Sequence, residues 1–244
     1  MIDSSYNIKM RLDSFLFINH FVQSRNKASE LIKNGFIKVN GNIILKPSFI
    51  VESNCKIEIL KEVFVSRAGE KLDFYIKSHN LDFSNMNVLD IGSSKGGFTQ
   101  VLLKYNAKSV TCVDVGRNQL DISLRNNPKI KLFESCDIRE FESLHLFDFI
   151  VCDVSFISIK NILDSIFRLL GGEALLLFKP QFEVGKSAKR NKKGVVTQKE
   201  AIDSALYEML TLIKQYGFEI LNIESSNLKG KEGNEEIFIN IKKC

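Results

Sequence analysis

Apolar and polar positions set the first sixty residues apart from the rest of the chain. Leu12, Phe15 and Leu16 recur at helical spacing and predict a helix that runs to about Phe21. Ser24 is placed to cap a second helix with an apolar stripe of Ala28, Leu31 and Ile32, and Gly35 to end it as a left-handed cap. Residues 36–39 and 42–45 read as strands about a tight Asn40-Gly41 turn, Pro47 closes the second, and residues 56–60 give a third. The pattern describes two helices followed by a small sheet.

After residue 61 the pattern changes. Ser66 can cap a helix over residues 67–78, with Leu72, Tyr75 and Ile76 as its apolar face. Strands are then expected at 86–91, 109–115, 130–134, 147–152 and 174–178. Helices are expected at 96–105, 118–126, 158–170 and 199–216. Alternating strand and helix implies an α/β domain, a parallel sheet covered on both faces. Two closing strands, 218–224 and 236–241, have no helix between them and imply an antiparallel end to that sheet.

Composition narrows the class. The 244 residues are 44% hydrophobic and 26% charged, ordinary values for a folded chain. No apolar run approaches the roughly 20 residues of a membrane helix, and Met1–Tyr6 lacks the basic and apolar regions of a secretory leader. The five cysteines form no C-x-x-C and read as reduced thiols of a cytoplasmic protein. The three histidines have no metal-ligand spacing, so no metal is expected. The net charge of +5 is uneven: residues 1–80 hold 12 Lys and Arg against 8 Asp and Glu, the remainder 22 against 21. Arg11, Arg25, Lys27, Lys33 and Lys38 fall where the first helices and strand meet solvent. Those residues alone allow either a solvated charged face or a face for RNA phosphates.

Candidate chemistry concentrates in the second region. Residues 88–98 (VLDIGSSKGGF) lead an apolar strand through a Gly-rich turn into a helix. Gly92 and Gly96 allow tight turning and close approach of a ligand. Ser94 occupies the second glycine position of a dinucleotide fingerprint, and no phosphate-binding loop pattern fits, which disfavours dinucleotides and triphosphates. Asp90 suits a ligand bearing a sulfonium and an ammonium. Asp114, at the next strand end, can accept ribose hydroxyls, and Asp137, past the third, an adenine amino group. Lys71, Asp153, Lys179 and Glu236 come from four separate segments but would converge at the carboxyl edge of the sheet. A lysine desolvated there beside a second cation would be easier to deprotonate and could act as a general base. Residues 185–194 (GKSAKRNKKG) carry Lys186, Lys189, Arg190, Lys192 and Lys193 and read as a mobile basic loop, whether for RNA phosphates or only for solubility.

Motif order adds a resemblance. R-L-D, S-R, A-x-x-L-I-x-x-G and V-N-G resemble the S4 RNA-binding domain. S-R-A-G-E-K-L, D-I-G-x-S-x-G-G-F-T, V-D-V-G-x-x-Q-L, D-V-S-F-I-S, K-P-Q-F-E-x-G, G-V-V and G-N-x-E resemble the TlyA family from about Arg11 to Glu236. The resemblance implies an S4 domain at 8–60, a linker at 61–66, and an FtsJ-like methyltransferase domain at 67–244. The latter would have a Rossmann-like class I fold with a seven-stranded mixed sheet. It further implies S-adenosylmethionine as cofactor, ribosomal RNA or ribosomal subunits as partner, and 2′-O-methylation of cytidine in 16S and/or 23S RNA. The family's Lys-Asp-Lys-Glu tetrad falls on Lys71, Asp153, Lys179 and Glu236, with Lys179 as base. Asp90, Gly92, Ser94, Gly96, Gly97, Phe98, Asp114 and Asp137 would hold the cofactor. Arg67 joins the basic residues above as an RNA contact. Ser93, Lys95 and Gln100 depart from the family's usual residues, and Lys95 adds a cation near the cofactor turn. Competing readings are a non-catalytic ribosome assembly factor, a nicotinamide oxidoreductase, and a membrane-lytic protein, since family members carry a haemolysin label.

Overall fold

The computed structural model describes residues 9–244. The expected absence of a leader at Met1–Tyr6 and the first residue of the expected S4 span, Ile8, lie outside the described residues. The chain separates into two compact units that divide between Val65 and Ser66.

In the first unit β1 (Lys9–Arg11) leads straight into α1 (Leu12–Ile18). The helix ends three residues earlier than the apolar pattern suggests, because Asn19 closes it and His20 takes a left-handed φ of 58°. The Ser24 hydroxyl accepts from the Lys27 amide at 3.1 Å and starts α2 (Arg25–Lys33). Gly35 follows in the left-handed region. Asn40 and Gly41, both at positive φ, turn β2 (Ile37–Val39) into β3 (Asn42–Ile43). After β4 (Ile50–Glu52), β5 (Ile57–Ile59) pairs on the other side of β2, while β4 pairs with β1 as a separate two-stranded ribbon. Leu12, Phe15, Leu16, Ala28, Leu31 and Ile32 from the two helices close over Ile37 and Val39.

The second unit opens with α3 (Arg67–His79), followed by β6 (Asn87–Ile91), α4 (Gly97–Lys104), β7 (Ser109–Asp114), α5 (Ile122–Arg125), β8 (Ile130–Glu134) and β9 (Phe147–Cys152). A 3₁₀ turn (Ile159–Ile162), α6 (Leu163–Leu169), β10 (Leu170–Phe178), α7 (Pro180–Glu183), α8 (Lys199–Gln215), β11 (Phe218–Ser225) and β12 (Ile237–Lys243) complete it. The strands form one seven-stranded sheet in the order β11-β12-β10-β9-β6-β7-β8. β12 runs antiparallel to both its neighbours, so the sheet is mixed and its fold is α/β. Ile237 pairs with Phe178, which brings the start of β12 to the carboxyl ends of the parallel strands. Val88, Leu89, Ile150, Val151, Leu176 and Ile239 are fully buried along the central strands. Burial of each such side chain stabilises the unit by roughly 1.5–3 kcal/mol.

Two expected helices change, and one short helix is added. The helix at 118–126 shrinks to α5, because Asn118 sits at positive φ and the Gln119 amide donates to Glu134. Asp121 then caps the remaining turn through the Ser123 amide. The helix at 158–170 begins as a 3₁₀ turn capped by Ser158. Pro180 opens α7, where its missing N–H costs nothing.

Candidate functional site

The turn after β6 builds one wall of a cleft of about 290 Å³ at the carboxyl edge of the sheet. Gly92 has φ +80°, and a Cβ there would stand 3.0 Å from the Asp153 carbonyl oxygen. Only glycine allows this turn to pass so close to the end of β9. Ser94 also turns at positive φ, and its amide donates to Asp114 Oδ2 at 2.7 Å. The Gly116 amide donates to the other Asp114 oxygen at 2.6 Å, so two backbone donors fix this carboxylate. Gln119 accepts from the Ser94 hydroxyl at 3.0 Å. Asp137 faces the same cleft, with its carboxylate held by the Arg139 guanidinium and amide. Ile91, Val113, Ile138, Ile157 and Ile162 supply apolar walls, and among the described residues no lysine or arginine lines the cleft.

Four of the expected cofactor residues lie elsewhere. Asp90 is fully buried and outside the cleft lining. It accepts from the Thr99 hydroxyl at 2.6 Å, while its Oδ1 has no partner among the described residues. Burial raises its pKa to about 7 against the Thr99 hydrogen bond, with the Asp153 charge adding to the rise. Gly97 serves helix packing, since a Cβ there would lie 2.1 Å from Ser66 Oγ and 2.9 Å from the Gly69 amide. Gly96 makes the left-handed turn into α4, and Phe98 belongs to the core. Strand alternation explains Asp90: it lies next to Ile91, which faces the cleft, and so points to the other face. Lys95 is exposed and outside the lining.

The four residues of the expected tetrad form two ion pairs. Lys71, on α3, pairs with Glu236 just before β12, and both side chains are buried. Lys179, at the end of β10, lies 2.7 Å from Asp153 Oδ1 and donates to the Ser155 hydroxyl at 3.0 Å. Burial raises the Asp153 pKa against the pull of Lys179 and Lys71, with Glu236 opposing them, so the two pairs feel one another. Asp153 and Ser155 also line the cleft, which places Lys179 beside the ligand space. Glu235 instead faces out and pairs with Lys229.

Sequence reasoning missed Ser155, Gln119 and Phe156. Ser155 and Phe156 lie within D-V-S-F-I-S, and Gln119 within V-D-V-G-x-x-Q-L, so the motifs carried the signal without separating these members from their neighbours. Phe156 is 92% exposed on the cleft rim with φ 67°.

The basic residues divide by what holds them. In the first unit Arg11 and Arg25 both bind Asp13, whose pKa the Arg11 hydrogen bond pulls far down, and Lys27 pairs with Glu30. Lys33 is exposed and Lys38 half-buried. In the second unit Arg67 donates to the Lys229 carbonyl. Residues 185–194 form a folded turn rather than a free loop: Arg190 donates to the carbonyls of Gly185, Lys186 and Ala188, and Asn191 Oδ1 accepts from the Lys193 and Val195 amides. Arg190 is thus committed to the turn, and Lys186, Lys189, Lys192 and Lys193 remain exposed on it.

Comparison with known proteins bears on this arrangement. Residues 64–243 match the FtsJ-like methyltransferase family and residues 10–55 the S4 domain. The chain is 43% identical to the 23S rRNA (cytidine-2′-O)-methyltransferase TlyA of Campylobacter jejuni, over 94% of this chain and 98% of that one. The chain belongs to the TlyA family of methyltransferases. Another TlyA relative, the 16S/23S rRNA (cytidine-2′-O)-methyltransferase of Mycobacterium tuberculosis, is 30% identical over 95% of this chain and 89% of its own. Hemolysin A of Brachyspira hyodysenteriae is 35% identical over 93% and 97%. Among solved structures, a putative hemolysin from Streptococcus thermophilus superposes on this TlyA-family chain with a TM-score of 0.70. It is 32% identical, with 96% of this chain and 88% of that one covered.

Proposed function

We propose that this methyltransferase uses S-adenosylmethionine to methylate the ribose 2′-hydroxyl of cytidine in ribosomal RNA, 16S and/or 23S. The substrate follows the names of the TlyA relatives. The observation that carries the reading is the pair of lysine–carboxylate contacts beside an acid-lined cleft. The cleft residues suit this cofactor: apolar walls for an adenine ring, Asp114 for ribose hydroxyls, Asp137 for an amino group, and no cation to favour a phosphate. When bound, the cofactor supplies a methyl group already activated on a sulfonium.

Lys179, in its neutral amine form, then accepts the 2′-hydroxyl proton as the ribose oxygen attacks, and becomes the ammonium that Asp153 faces. Asp153 and Ser155 hold the Lys179 Nζ in place, and the Lys71–Glu236 pair places a second cation and acid beside them. Most of the acceleration is expected from alignment, because the leaving group needs no further activation. Residues 8–60 are assigned to docking on structured RNA, 61–66 to the link, and 67–244 to chemistry. Lys33, Lys38, Lys186, Lys189, Lys192 and Lys193 are the basic residues we assign to phosphate contacts. A ribosomal RNA substrate supports a cytoplasmic location. A membrane-lytic role draws only on the names of relatives, and no helix among the described residues is long and apolar enough to cross a membrane.

Lys179→Ala is the direct test. Methyl transfer to ribosomal RNA should fall at least a hundredfold, in line with loss of a general base, while cofactor affinity by calorimetry stays near wild type. Full activity in the variant rejects the base. Mapping 2′-O-methyl groups on both ribosomal RNAs, with and without the gene, identifies the nucleotide.

A further inference from the structure

Glu183 is a buried carboxylic acid that the proposed chemistry does not use. It is 9% exposed and does not line the cleft. Burial raises its pKa, opposed by the Ser158 hydroxyl and then the Ile159 amide. Both oxygens are engaged: the Ser158 hydroxyl donates to Oε2 at 2.5 Å and the Ile159 amide to Oε1 at 2.9 Å. Capping the 3₁₀ turn does not require this acid, because Ser158 Oγ already accepts from the Lys160 amide at 3.2 Å. A buried carboxyl is costly to keep unless it is hydrogen-bonded, as both oxygens are here.

Its place in the chain suggests what they do. Lys179 is the residue that precedes α7, and the Phe182 amide donates back to the Lys179 carbonyl at 2.9 Å. Glu183 is the last residue of that helix, so it is rigidly linked to Lys179. Ser158 ends the segment that starts at Asp153. Residues 153–158 and 179–183 are therefore tied twice, by Lys179 to Asp153 and Ser155, and by Glu183 to Ser158 and Ile159. Between the ties the Phe156 and Phe182 rings meet at 5.3 Å. Phe156 holds a left-handed φ of 67°, an uncommon conformation for a bulky residue.

We propose that Glu183 is a positioning residue for methyl transfer: it braces Ser158 and Ile159 against α7 and so keeps Asp153 and Ser155 within reach of Lys179. The proposal rests on the assignment of Lys179 and Asp153 to the reaction.

The test uses the full chain with Glu183→Ala, Glu183→Gln and Ser158→Ala. Turnover on ribosomal RNA, cofactor affinity, thermal unfolding and hydrogen exchange of the amides at 153–159 are measured. Glu183→Ala and Ser158→Ala should lower kcat by about tenfold or more, since small misplacements of reacting groups are costly. KM for RNA and cofactor affinity should change less than about twofold, and exchange at 153–159 should speed up. Glu183→Gln should recover most of kcat, because its amide oxygen still accepts from Ile159 and its NH2 can donate to Ser158 Oγ. Wild-type kcat in the folded variants, or Gln as slow as Ala, overturns the brace. If Glu183→Ala fails to fold, Ser158→Ala decides. A wild-type chain inactive on every ribosomal RNA rejects the proposed function instead. In that case unchanged exchange in Ser158→Ala still rejects the brace, and faster exchange supports it.

Discussion

Asp90 shows how a motif can single out a side chain without showing what surrounds it. It stands where a carboxylate suits a cationic ligand, but β6 turns it away from the cleft and onto Thr99. Its pKa, raised to about 7 by burial, has a thermodynamic consequence. The unfolded chain releases this proton near pH 4, the folded chain near 7. Between those values the folded state binds the extra proton, so its stability falls as pH rises. Asp90→Asn should flatten that fall, read as the thermal midpoint of the ligand-free protein between pH 4.5 and 8. A wild-type midpoint that is level, or rises, over this range rejects the assignment. Ser155 and Glu183 were harder to see for another reason. Nothing in their spacing distinguishes them, and their roles arise from partners 24 and 25 residues away.

At the scale of elements, the strands of the large sheet were legible because buried parallel strands are short apolar runs bounded by turns. The β1–β4 ribbon was not, since three-residue strands leave no alternation to read. The helix at 118–126 failed because Asn118 and Asp121 prefer turn and cap conformations that propensity over a window does not resolve. One contact between elements matters for the site. α3 carries Lys71 and packs against α4 at Gly97, where a Cβ would meet Ser66 Oγ and the Gly69 amide. Gly97→Ala should push α3 away from α4 and destabilise the protein by about 1–3 kcal/mol, as overpacking does. Because Lys71 travels with α3, methyl transfer should fall more than the folded fraction does. A variant with unchanged unfolding and activity contradicts this role for the contact.

For the whole molecule, the charge is unevenly spread along the chain. The surplus in the first 80 residues includes arginines already paired with Asp13, so its net value overstates what is free for phosphates. In the second unit Lys186, Lys189, Lys192 and Lys193 are four exposed lysines on one short segment. Affinity for RNA should fall steeply with salt, and replacing Lys186, Lys189, Lys192 and Lys193 with Glu should make that dependence shallower. An unchanged slope assigns phosphate binding to other residues. The topology has a further consequence in time. β12 comes after every other strand of its sheet in the sequence, yet it lies between β11 and β10 and follows directly on Glu236. During synthesis the sheet stays divided until this strand slots in, and Lys71 waits for a partner 165 residues downstream.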